Sequence, residues 1–178
     1  MNAFRHNQIS HLSIGNRVNT IGRWAFLENR ITHVTIPNSV TRIELGAFQD
    51  NLLTDVVIPS NIMVIEDAVF ARNRLASVSI PHGIIRIGID AFWDNNLTSI
   101  FIPDSVTSIG TDAFAANPRL SSISIGANVY ICNELFSRRR GSPDVAAWRN
   151  FIAAYWANGR RAGLYAREAD GGWSWHPW

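Results

Sequence analysis

Apolar and polar positions along this chain recur on an interval longer than any helix or strand period. Phe4, Phe26, Phe48, Phe70, Phe92, Phe114 and Phe136 stand 22 residues apart, each in turn. Asn7, Asn29, Asn51, Asn73, Asn95 and Asn117 follow three residues after the first six of them, and Ile14, Ile36, Ile58, Ile80 and Ile102 ten after. The phrase "VTIPNSVTRIELGAF" at 34–48 returns as "IFIPDSVTSIGTDAF" at 100–114, with two further versions between them. "NPRL" inserts one position, displacing Leu120 and Ile125, and "NVYIC" removes one before Phe136. A fixed step of this size marks a repeat architecture.

Within each unit, Leu-x-x-Val-x-Ile alternates at period two, which predicts a short strand with one buried face, ended at once by Pro or Gly. The following "SVTRI" or "SVTSI" again turns apolar residues inward. A unit this short cannot bury its own apolar side chains, so the coils must stack and their strands must form a parallel sheet. The expected fold is a mainly β, right-handed repeat solenoid of about six coils over residues 1–137, with a central phenylalanine column. The asparagine column is expected to satisfy turn backbone groups between coils rather than to bind a ligand.

After Phe136 the period stops. Ser142, Pro143 and Asp144 read as a helix start, Val145, Trp148, Ile152, Tyr155 and Trp156 as one stripe, and Asn158-Gly159 as its end. "GLYAR" and "GWSWHPW" around "EADGG" predict a hairpin. Residues 138–178 are therefore expected to cap the last coil, with Trp148, Trp156, Trp173 and Trp175 packed and Trp178 the most exposed. The first coil carries in-phase Phe4, Ile9, Leu12 and Ile14 at an uncapped end, so either residues precede it or that face is expected to pair with another copy or a neighbouring module.

Chemistry narrows the reading further. All sixteen basic residues are arginine, which removes Walker-type phosphate loops, Schiff-base catalysis and Ser-x-x-Lys hydrolysis. No Gly-x-Ser-x-Gly, His-Glu-x-x-His or calcium loop occurs, so neither an enzyme nor a cofactor is expected. The single cysteine, Cys132, takes a glycine position of the repeat, which predicts a buried, unreactive thiol, and it excludes an internal disulfide. No run approaches the ~20 apolar residues of a spanning helix, and the N-terminus has no secretory plan. Residues 1–137 hold nine Arg against eleven acids, and 138–178 seven against three, with no nucleic-acid motif.

Residues between the inward Val and Ile must point outward. One outward column begins His11, His33 and Asp55; its neighbour is Ser13, Thr35, Val57, Ser79, Phe101 and Ser124. Val57 and Phe101 break a run of hydroxyls, so these five residues of the strand face, His11, His33, Asp55, Val57 and Phe101, are the candidate partner-binding set. His11, His33 and Asp55 have spacing compatible with a metal, but a solvated His–Asp pair is the expected arrangement, and no metal is assigned. Arg139, Arg140, Trp175 and Trp178 form a second candidate surface on the cap.

The phrase "NNLTSIFIPDSVTSIGTDAF" resembles the BspA-like leucine-rich repeat family of the treponemal type, over roughly residues 4–136. "FIAAYWANGRRAGLYAREADGGWSW" is similar to endings found on such proteins in spirochaetes. The resemblance implies a cell-surface or periplasmic module that binds host matrix or bacterial envelope proteins, with a role in adhesion and virulence.

Overall fold

The computed structural model describes residues 1–132 and 146–178. They form a solenoid with two parallel ladders per coil rather than one. The first ladder contains β1 (His11–Ser13), β3 (His33–Thr35), β7 (Ser99–Ile102) and β9 (Ser122–Ile125), with the middle coils joined by a bridge between Val57 and Ser79. The second ladder runs in two stretches, β2 (Thr20–Ile21) with β4 (Arg42–Ile43), and β5 (Val64–Ile65), β6 (Arg86–Ile87), β8 (Ser108–Ile109) and β10 (Tyr130–Ile131). These two-residue strands are the "VTRI" phrases. Their isoleucines face inward and are buried, while the preceding residue, such as Arg42 or Arg86, faces out.

The third side of each coil carries the phenylalanine. Rings from Phe4 to Phe114 stack at 5.3–5.8 Å between centroids. Two residues before and two after each ring the backbone is left-handed, as at Ala68 (φ 53°) and Arg72 (φ 56°) around Phe70. Each such bend aims an N–H at the next coil: Ala68 N–H donates to Ile89 O at 2.8 Å and Phe70 N–H to Ala91 O at 3.0 Å. Of the residues before the ring only Gly46 is a glycine, and there a Cβ would lie 2.5 Å from the Trp24 ring.

Asparagine ties the same turns together. Asn73 Nδ2 donates to Phe48 O (2.9 Å) of the previous coil and to Phe70 O (3.2 Å) of its own, and Asn73 Oδ1 accepts the Leu53 N–H at 3.0 Å. Asn29, Asn51, Asn95 and Asn117 repeat this set, and all are buried. Asn7, in the first coil, among the described residues bonds only Arg5 O, at 3.1 Å.

The cap is helix α1 (Ala146–Ala157) and the hairpin β11 (Gly163–Arg167) and β12 (Trp173–His176). The expected helix start at 142–145, the Phe136 position and the boundary between 137 and 138 lie outside the described residues. The buried stripe of α1 is Trp148, Phe151, Ile152 and Tyr155. Trp156, expected in it, is 47% exposed, because Phe151 holds the position one turn from Trp148 and Tyr155. Trp148 meets Phe114 edge-on at 5.4 Å and so covers the ring column.

The hairpin does more than cover an end. β11 pairs antiparallel with β9, placing Tyr165 opposite Ile123 and burying it. Gly159 (φ 65°) lets the helix close with Arg160 N–H on Tyr155 O at 2.9 Å. At Gly163 (φ 155°) a Cβ would run into Trp175 Nε1. The "NGRRAGLY" spelling of the tail is thus dictated by one helix stop, one close approach and one buried phenol.

Candidate functional site

Among the five strand-face candidates, Val57 is 74% exposed and Phe101 53% exposed. They stand in one outward column on either side of Ser79, and the His82 ring meets Phe101 edge-on at 6.2 Å. His33 Nε2 lies 3.6 Å from Asp55 Oδ2, with both side chains largely in solvent. Thr54 Oγ1 sits between them, 3.2 Å from Asp55 Oδ2 and 3.4 Å from His33 Nε2. His11, although opposite His33 in the ladder, turns its Nδ1 to Ser10 Oγ at 3.0 Å. The structure therefore brings together a His33–Asp55 pair and not a three-residue cluster. Among the described residues no group of three His, Cys, Asp or Glu is placed to hold a metal. His11, His33, Asp55 and Val57 line one open groove of about 630 Å³.

On the cap, Arg139 and Arg140 lie outside the described residues. Trp175 is half-buried: its Nε1 donates to Ala162 O at 3.1 Å, and the Arg161 guanidinium lies 5.5 Å from its ring centre. It is fastened into the cap. Trp178 is 70% exposed. Cys132, which directly follows β10, is half-buried rather than buried, and the Thr111 hydroxyl donates to its Sγ at 3.3 Å.

Sequence reasoning did not place Leu164 on this face. Its Cα is paired with Ser124, whose own partner on the other side is Phe101, so Leu164 continues the Val57–Phe101 column onto the cap. No period announces it, because β11 joins the sheet antiparallel from outside the repeat. A smaller groove of about 380 Å³ between Tyr130, Trp156 and Arg160 was likewise not foreseen.

What the face offers chemically is hydroxyls for hydrogen bonding, one exposed His–Asp pair and isolated apolar knobs, a surface for contact. A family description, BspA type Leucine rich repeat region, matches residues 1–121 and 46–142, with six copies of the repeat. Among solved structures the chain is similar to a leucine-rich repeat protein from Bacteroides ovatus, at 30% identity and a TM-score of 0.56, covering 61% of this chain and 29% of that one. It is also similar to a leucine rich cell surface protein from Faecalibacterium prausnitzii, at 27% identity and a TM-score of 0.51, covering 90% of this chain and 36% of that one. The chain thus spans about a third of the length of either structure. No curated protein matches it.

Proposed function

Since the chain belongs to the BspA-type leucine-rich repeat family, we propose that it is a non-enzymatic protein-binding module whose strand face contacts a host matrix or bacterial envelope protein in adhesion. The observation that carries this reading is the exposure of Val57 and Phe101 in a column otherwise built of Ser and Thr. A setting at the cell surface or in the periplasm accords with the Faecalibacterium relative, and no helix among the described residues is long and apolar enough to cross a membrane. The face is narrow, so each contact is weak and adhesion depends on many displayed copies. The test is capture from matrix and envelope extracts by the native protein and by Val57→Ser/Phe101→Ser. Loss of capture with an unchanged melt is expected; capture that ignores both substitutions refutes the reading.

Self-association is a second reading, favoured by the first coil. Phe4 is half exposed, β1 pairs only with β3 among the described residues, and Phe4, Leu12, Ile14 and Phe26 line a cavity of about 340 Å³. Sedimentation should then show a dimer that Leu12→Lys abolishes; a strict monomer at high concentration refutes it.

A further inference from the structure

Resting on the reading of the strand face as a protein-binding surface, we infer that this face and the cap hairpin form one track, and that its occupant is an amphipathic α-helix with an acidic flank. The helix carries apolar residues at seven-residue intervals and lies across the strands, along the solenoid axis.

The track is longer than the repeat. Ser99–Ile102 pairs with Ser122–Ile125, that strand pairs with β11, and β11 pairs with β12, so two cap strands extend the face. Between the middle coils, Ala76 N–H to Thr54 O (3.4 Å) and Thr98 N–H to Ala76 O (3.3 Å) keep the stack in register. With strands about 4.8 Å apart, eight of them span about 34 Å, and strand segments of about three residues give a width of about 10 Å. An α-helix is about 10–12 Å across and rises about 1.5 Å per residue, so about 23 residues of helix fill the track. Its projected area, about 340 Å², falls well short of the roughly 800 Å² per partner of a standard interface, which argues for a rod rather than a globular partner.

Spacing selects the kind of rod. Val57, Phe101 and Leu164 occupy the third, fifth and seventh strands of one column, about 9.6 Å apart at each step. Seven residues of α-helix advance about 10.5 Å, a mismatch of about 1 Å per contact that side chains absorb. An extended peptide returns a side chain to the same face every ~6.8 Å and loses step at the first interval. A polyproline-type helix matches the step, at about 9.3 Å, but is recognised in slots between aromatic rings, whereas here the apolar side chains project from a hydroxyl surface.

Charge supplies the flank. Arg30, Arg74 and Arg119 occupy the second, fourth and sixth coils, each three residues before the first outward residue of its strand segment. All three are exposed, and among the described residues none has an ion pair. Their rim thus repeats at the same two-coil step as the apolar column, shifted by one coil. Carboxylates on the side of the helix that faces the rim complement them.

The probe is a synthetic alanine-based peptide of about 24 residues with Leu at every seventh position and Glu on one adjacent stripe, titrated into the full chain by fluorescence anisotropy at low salt. Binding is expected to weaken about tenfold for each of Val57→Ser, Phe101→Ser and Leu164→Ser, with melts unchanged. Arg30→Glu/Arg74→Glu/Arg119→Glu should weaken it and flatten its salt dependence. Equal binding by a peptide with leucines at five-residue steps, by a proline-rich peptide with apolar residues at three-residue steps, or by the Leu164→Ser protein overturns the proposal. If extract capture depends on Val57 and Phe101 but the peptide neither binds nor competes, the helical occupant is refuted and the strand face stands. If capture ignores both residues, the strand face falls and the helical occupant falls with it.

Discussion

Replacing Asn73 by alanine tests whether the asparagine column holds the coils together. The Leu53 N–H donates to Asn73 Oδ1 at 3.0 Å, and Leu53 is fully buried. Losing that acceptor orphans a buried donor, at about 1–3 kcal/mol. Phe48 O loses its donor at 2.9 Å and keeps only the longer bond from Asn51, 3.3 Å, for a further loss of about 0.5–1.5 kcal/mol. The expected destabilisation is about 2–4 kcal/mol by urea melts followed by circular dichroism, with an unchanged slope. Asn7→Ala is the internal control, because Asn7 makes one exposed bond, and it should stay within about 0.5 kcal/mol of the native protein. Asn73→Asp separates hydrogen bonding from shape. It keeps the acceptor but aims a carboxylate oxygen at Phe48 O and Phe70 O, which raises the folded-state pKa of the new acid above its unfolded value. Its deficit should therefore shrink as pH falls below neutrality and grow as pH rises. If Asn73→Ala cost as little as Asn7→Ala, the ladder would be incidental to stability.

Phe70→Ala should cost about 3–5 kcal/mol, because rings stack on both sides of it at 5.8 and 5.6 Å; Phe4→Ala, stacked on one side and half exposed, should cost less than half as much in the same melts. Gly110→Ala should destabilise strongly, since its Cβ would meet backbone, Ile89 N at 2.5 Å and Gly88 C at 2.6 Å, and the thermal midpoint reads it directly. Burial raises the Tyr165 pKa to about 12, with the neighbouring Tyr155 adding to it and Arg161 opposing. The unfolded chain ionises first, so this stability is intact below pH about 10 and is lost as pH rises through about 12. Tyr165→Phe should flatten that alkaline slope. Tyr155→Phe strands the Val129 N–H, which its hydroxyl accepts at 2.9 Å, and should cost about 1–3 kcal/mol at neutral pH.

The stacked core was legible because a solenoid copies its contacts: Phe and Asn recur wherever their own copies lie above and below. The second ladder was not, since two residues such as Arg42–Ile43 are too few to show an alternation. Nor were the left-handed positions beside each ring, because Trp, Ala, Asp, Arg and Glu hold them as well as glycine, so the usual signal is missing. On the candidate site, Val57 and Phe101 were visible as apolar letters in a polar column. Leu164 was invisible: its place depends on β11 meeting β9, a non-local pairing that no period encodes.

The cross-coil bonds give this molecule a mechanical character. Among the described residues each coil is fastened chiefly to its neighbours, by the ring stack, the asparagine bonds and the ladders, and the last coil also to the cap through β9 and β11. Tension drawn along the chain therefore loads one coil boundary at a time. Each coil that yields releases 22 residues, about 75 Å of extended chain, while the coils behind it stay folded. A bond to a partner on the strand face would be spared sudden loads by successive small yields, in the manner of a spool paying out line.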